Sequence, residues 1–511
     1  MWIKAGLVLT SIIASAGAVV AQDPAPPPLS DLPDLVAPDW LSDTVTRPHS
    51  NIAVSATPPA VTVMPLGTVA LDVVGLLPGT ITGLPDDLWG ASETETLARL
   101  LRAQPVQGLP AIQGFTETLA LAELNPPADA DPNAGTLFLA RLDMLLLRGA
   151  LDPAQALVER GGPTNADVFR RWFDVSLLTD HAARACAAMS ASPDIAPTLT
   201  ARIFCLARSG DWAAAALTLD TGAALGRISE DDADLIARFL DPELFEGEPP
   251  LPPDPAITPL TFQMRVALGE RPDTTGLPLA FAHADLSDIA GWRAQLDAAE
   301  RLTRSGAIEP NQWLDIYTDR VPSASGGVWD RVAALQAVDA AILANDATEV
   351  TRRLPPAWAA METAGLEIAF AEIFAERLLR TPLTGEAGLL ARRIGLLSSF
   401  YEQVAQNAVA QTDEERFAFD IARGLPATPP RASDLTASAI AAAFAAQPPV
   451  HRYAWFVQND RLGEGLLRAA RVLSDPARDP GDVTDALVLF RQVGLEDVAR
   501  RAALQLLLIR G

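Results

Sequence analysis

The feature that most constrains the fold of this chain is a recurring way of stopping one helix and starting the next. It reads Leu147-Arg-Gly149-Ala-Leu151-Asp152, then Leu225-Gly226-Arg-Ile228-Ser-Glu230, then Ser305-Gly306-Ala-Ile308-Glu309, then Val493-Gly494-Leu495-Glu496-Asp497. In each, a glycine is free to take the left-handed conformation that closes a helix. An apolar residue then packs back, and an acidic or hydroxyl residue is placed to cap the following helix. A related turn, Arg208-Ser-Gly210-Asp211-Trp212, opens into Ala213 to Ala216, whose small side chains are expected to let two helix backbones approach. Apolar residues at helical spacing agree: Ile289, Trp292, Leu296, Ala299 and Leu302 mark one face, and Val332, Leu335, Val338 and Ile342 another. Ser92 and Glu95 form an S-x-x-E capping box ahead of Leu97, Leu100 and Leu101. The expectation is an all-α chain of stacked helical hairpins, an α-solenoid with irregular spacing.

Before the first helix the pattern differs. Met1 to Lys4 is a short positive start and Ala5 to Ala21 an apolar run ending Val19-Val20-Ala21, which predicts a signal peptide over 1–21, cut after Ala21. The run is slightly short for a spanning helix, and no later stretch of comparable length is apolar enough, so no membrane span is expected after cleavage. Residues 22–60 are rich in proline and aspartate without apolar periodicity, which predicts a disordered tether. Over 61–90, Ala60 to Met64 and Thr68 to Val74 flank Pro65-Leu-Gly67 and suggest one small β-hairpin. Helical regions are then expected over 91–246, 261–423 and 434–511, separated by a proline-rich linker at 247–260 and a break at 424–433.

Composition excludes some partners. The 511 residues carry a formal net charge of −25, and Lys4 is the only lysine. A chain this acidic repels nucleic acid and anionic lipid. Only two cysteines occur, Cys186 and Cys205, on two expected neighbouring helices joined by Ser190 to Ala196. In the oxidising compartment that an exported protein meets, they are expected to form a disulfide.

Catalytic and cofactor signatures are lacking. His49, His181, His283 and His451 are scattered with no metal-ligand spacing; no nucleophile elbow, phosphate loop or Glu-Ser dipeptide occurs. The best local candidate for binding is Ser325-Gly326-Gly327-Val-Trp329-Asp330-Arg331. Its glycine pair ahead of a helix can turn N–H groups toward an anion, with Arg331 adding charge. The same residues also make an ordinary helix start, with Ser325 as cap, Trp329 entering the core and Asp330 favouring the first-turn dipole. His283, close to Asp285, is a second candidate.

In style the chain resembles tetratricopeptide-like α-solenoids, without their signature tryptophan, glycine and proline spacing. The stretches Arg202-Ile-Phe-Cys-Leu-Ala-Arg-Ser-Gly-Asp-Trp212, Leu277-Pro-Leu-Ala-Phe-Ala-His283 and Pro322-Ser-Ala-Ser-Gly-Gly-Val-Trp-Asp-Arg331 resemble those of uncharacterised secreted proteins of alphaproteobacteria. Some of these carry an antifreeze-glycopeptide name, which reflects composition, since this chain has amphipathic helices and no Ala-Ala-Thr array. The resemblance implies export and brings no activity. The expected function is a periplasmic or secreted scaffold binding a protein or envelope component, without cofactor. A glycan-acting hydrolase with dispersed carboxylates, or a sugar- or peptide-binding protein using Trp292, Trp313 or Trp329, are the alternatives.

Overall fold

The computed structural model of the protein describes residues 37–42 and 70–509, apart from Thr164 and Pro255. The expected signal peptide, most of the expected tether and the first half of the expected hairpin lie outside the described residues. Among the described residues there is no strand, only one isolated parallel bridge between Leu77 and Ala122, and the regular elements from Leu71 to Leu508 are all helices.

The stretch Leu71–Val73, expected to be a strand, is a 3-10 turn. Among the described residues no strand lies beside it. Its polar groups are taken up locally: Asp72 Oδ1 accepts from Phe138 N at 2.7 Å, and the Arg141 guanidinium donates to the carbonyls of Asp72 and Val74. The segment therefore caps the helix Thr136–Leu147 in place of building a sheet. The Ser92/Glu95 capping box is also absent. That helix begins at Thr94, whose N–H and hydroxyl are held by Asp129 at 3.1 and 2.7 Å.

The glycine turns are built as the sequence implies. Gly149 has φ 74° and Gly494 φ 86°. In each turn the next N–H reaches back across the helix end, Ala150 N to Leu145 O at 2.9 Å and Leu495 N to Phe490 O at 2.8 Å, satisfying carbonyls that would otherwise lack partners. The same closure occurs without glycine at Asp180, Asn345 and Asp460, which also hold positive φ. The capping half of the motif is used less: Ser229 and Asp211 accept from the first turn, whereas the helices after Gly149, Gly306 and Gly494 start with no side-chain cap.

Most successive helices pack against their sequence neighbours, as a solenoid requires. The two ends of the array then meet. Helix Leu462–Ser474 lies on Thr94–Arg102, and Glu496–Leu508 lies on Pro110–Leu121. Across this seam Ala91 N donates to Asp460 O at 2.8 Å, Gly463 N to Leu88 O at 2.9 Å, and Gln104 Nε2 to Leu467 O at 3.1 Å. Phe115 and Phe490 meet edge to face at 5.0 Å. A terminal repeat normally needs a polar cap for its exposed apolar face. Here each end covers the other, and one continuous core joins residues 40–284 to 396–504. A second core spans 282–397. Buried ion pairs tie helices within the first: Asp143, fully buried, accepts from Arg171 at 2.6 Å and Arg102 at 2.9 Å, on two other helices.

Cys186 and Cys205 form a disulfide, with Cα atoms 5.0 Å apart, joining Ala182–Ala191 to Leu199–Arg208. No helix among the described residues is long and apolar enough to cross a membrane.

Candidate functional site

The loop ahead of helix Val328–Leu343 turns its candidate anion-binding groups back on its own chain. Gly326 and Gly327 hold φ of 92° and 58°, the left-handed side of backbone space that glycine tolerates. The Gly326 N–H that would face an anion is already taken by Asp330 Oδ1 at 2.9 Å. Gly327, not Ser325, occupies the cap position, and it makes no side-chain cap bond. Ser325 is exposed. Arg331 turns inward and grips Glu300 with two bonds, at 2.7 and 2.8 Å. Glu300, almost fully buried, also accepts the Tyr317 hydroxyl at 2.5 Å. Burial, and then the Glu300 charge, push the Tyr317 hydroxyl above its ordinary pKa, so it stays a donor to Glu300. The arrangement ties Trp292–Arg304, Pro310–Thr318 and Val328–Leu343 together and spends the charge of Arg331 on that task.

The tryptophans form no open groove here. Trp313 is fully buried against Tyr317 at 4.9 Å, and Trp292 is buried against the half-buried Trp329 at 5.2 Å. Of the residues expected along the first helix face, Ile289 lies before the helix start and is 78% exposed, while the other four are buried.

His283 stands elsewhere, on the 3-10 segment Leu279–Leu286. Its Nε2 donates to the carbonyl of Gly149 at 2.6 Å, the glycine of the first hairpin turn. Burial lowers its pKa, outweighing the pull of the Gly149 carbonyl and the Asp152 charge. This favours the neutral imidazole, in which Nε2 donates and Nδ1 accepts. Asp285 does not partner it. That carboxylate accepts from Arg271 at 2.8 Å and from Thr274, and Arg301 donates to Thr274 in turn.

His283 does line a cleft of about 580 Å³, together with Asp152, Asp180, His181, Arg271 and Asp288. The histidines are scattered in sequence; folding brings His181 and His283 to one concavity. The cleft offers a neutral base and carboxylates without an activated nucleophile: Ser287 Oγ donates to the Ala284 carbonyl at 2.7 Å. Among the described residues no group of three or more His, Cys, Asp or Glu is placed to hold a metal ion.

A third surface is one that sequence reasoning misread. Helix Trp212–Ala224 packs chiefly on its two sequence neighbours, Leu199–Arg208 and Glu230–Leu240, and buries only Ala215, Leu219 and Gly222. Ala213 and Ala216, expected at a close helix contact, point outward. So do Trp212, 51% exposed, and Leu217, 68% exposed, with Leu225 at the helix end 69% exposed. Asp220 lies among them. A helix apolar on every side is ordinarily enclosed. The signal was present in the sequence as a run of Ala and Leu without amphipathic period.

Comparison with protein-family models, curated proteins and solved structures returned no match. The assignment of a role therefore rests on these surfaces alone.

Proposed function

We propose that the protein is an exported, non-catalytic helical scaffold that binds a partner protein or envelope component through the outward face of Trp212–Ala224. The observation that carries this reading is the exposure of Trp212, Leu217 and Leu225 on one projecting helical unit. Isolated exposed apolar residues are ordinary, whereas three large ones with a tryptophan among them along one helix and its C-terminal turn are the residue types that protein contacts use. Asp220 within that face and the net charge of −25 favour a partner presenting an apolar helix with a cationic residue. The Cys186–Cys205 disulfide supports an oxidising compartment. Arg331, Asp330 and Trp329 serve the fold in this reading, as positioning residues for the second core.

The cleft at His283 favours a second reading, a pocket for a small ligand such as a glycan, with Asp152, Asp180 and Asp288 as its carboxylates. Complementation of a deletion strain at matched protein levels separates the two. The scaffold reading expects Trp212→Glu with Leu217→Glu to abolish function in a folded protein, and His283→Ala or Ser325→Ala to retain it. The reverse pattern would establish the cleft as the working site.

A further inference from the structure

The expected tether is not featureless throughout. Ala37 to Ser42 is seated in the helical body, with Trp40, Leu41 and Ser42 almost completely buried. Three consecutive residues make four specific contacts. The Trp40 ring meets Phe281 edge to face at 5.9 Å, and Phe281 in turn meets Phe262 at 5.5 Å. The Leu41 carbonyl accepts from Arg170 Nη2 at 3.1 Å. Ser42 donates its N–H to Asp174 Oδ2 at 2.8 Å and shares its hydroxyl with Asp174 Oδ1 at 2.6 Å. Asp174 is fully buried in helix Ala166–Leu178.

The receiving groove is costly to build for packing alone. A carboxylate removed from water loses much of its solvation, and a buried charge without donors is strongly unfavourable. Two donors come from one residue, 132 positions away in sequence, with the charges of Arg170 and Arg171 nearby. A neighbouring N–H and hydroxyl of a single serine fit the two oxygens of one carboxylate, which is a recognition geometry for Ser or Thr in a peptide. The aromatic pair supplies an adjoining seat for an indole, and Arg170 fixes the backbone between them. A hydrophobic anchor beside backbone and side-chain hydrogen bonds is how short linear segments are read.

We propose that the groove formed by Arg170, Asp174, Phe262 and Phe281 is a linear-peptide recognition site for an aromatic-aliphatic-hydroxyl triplet, and that Trp40-Leu41-Ser42 is its resident intramolecular ligand. This goes beyond the scaffold reading and uses none of its surface. The pairing does not require one ionisation state. With Asp174 charged, Ser42 donates twice; with it neutral, the acid O–H donates to the serine oxygen while the other carboxyl oxygen still accepts from the Ser42 N–H.

The test uses a fluorescently labelled peptide of residues 37–44, Ala-Pro-Asp-Trp-Leu-Ser-Asp-Thr, titrated into the full chain. Wild-type protein, its groove filled, is expected to bind it at least tenfold more weakly than the Trp40→Ala/Ser42→Ala protein, whose groove is vacated. Peptides with Trp→Ala or Ser→Ala are expected to lose at least tenfold in affinity for that variant. A folded double variant that binds the peptide no better than wild type would overturn the proposal. Should that variant fail to fold, a protease site inserted between residues 50 and 55 provides the second arm. After cleavage the amino-terminal fragment is expected to remain bound and to be exchanged by excess peptide. A fragment lost at once, or one that excess peptide never exchanges, would also overturn it.

Discussion

The seam where the two ends of the array meet and the projecting unit around Trp212–Ala224 are made from similar residues and treat them in opposite ways. At the seam, Leu88, Trp89, Leu101, Phe115, Leu467 and Phe490 are all buried, and Gly463 sits so tightly on the Trp89 ring that a Cβ there would fall well inside contact distance. On the projecting helix only three residues are buried, and a tryptophan and a leucine face outward. Alanine and leucine content alone therefore says nothing about which surface the chain keeps for itself. Closure of the array decides it: where the ends meet, apolar faces cover one another, and on the helix Trp212–Ala224 they stay exposed.

The largest expected effect tests the seam. Gly463→Val should destabilise the protein by about 3 kcal/mol or more, since overpacking combines with displacement of the Leu88 and Trp89 contacts. Chemical denaturation checks it, and a loss below about 1 kcal/mol would show that the seam yields easily and that closure is not what organises the fold.

The projecting unit is held differently. The Cys186–Cys205 disulfide spans 19 positions, and opening it with Cys186→Ser/Cys205→Ser should cost roughly 3 kcal/mol on the chain-entropy estimate. Hydrogen exchange should then rise first over Ala182–Leu240, with the seam helices still protected. Equal loosening of both regions would erase the distinction between them.

Asp174 gives a pH dependence confined to the peptide groove. Burial raises its pKa to about 7, against the opposing hydrogen bonds from Ser42 and the charges of Arg170 and Arg171. A carboxyl raised in the folded state binds more protons there than when unfolded, so its contribution is full at pH below about 4 and is lost as pH rises through about 7. The stability difference between wild type and Asp174→Asn should therefore shift in favour of the variant by up to about 1.4 kcal/mol per pH unit across that window. Parallel stability curves from pH 4 to 8 would contradict it.

The smallest effect belongs to the outward face. Trp212→Ala and Leu217→Ala should each change stability by no more than about 0.5 kcal/mol, the range of surface substitutions away from packed features. A loss of 2 kcal/mol or more would mean these side chains support the fold after all.

Much of the architecture is legible in the sequence because its signals are local. Gly149 and Gly494 announce helix ends, since the left-handed position penalises other residues; Asp180, Asn345 and Asp460 do the same work unannounced because short polar side chains also tolerate it. The cysteine pair is legible from two short helices and a turn. What fails is whatever depends on a distant partner. Alternating apolar residues at 68–74 imply a strand only if another strand is near, and here Arg141 and Phe138 take the backbone groups and the Asp72 carboxylate instead. Arg331 looks free for an anion until Glu300, on a neighbouring helix, claims it. Trp40 to Ser42 carry no local signal at all, because Asp174 and Phe281 reach them from far along the chain.

The central claim, that the molecule works by contact through its projecting helix, is tested most directly by photocrosslinking in cells. A photoreactive residue replaces Leu217, Asp288 at the His283 cleft, or the buried Leu487, one at a time. The account predicts a discrete crosslinked species from position 217 that disappears with Trp212→Glu, and none from 487. A crosslink from position 288 alone, or a species at 217 that Trp212→Glu leaves unchanged, would contradict it.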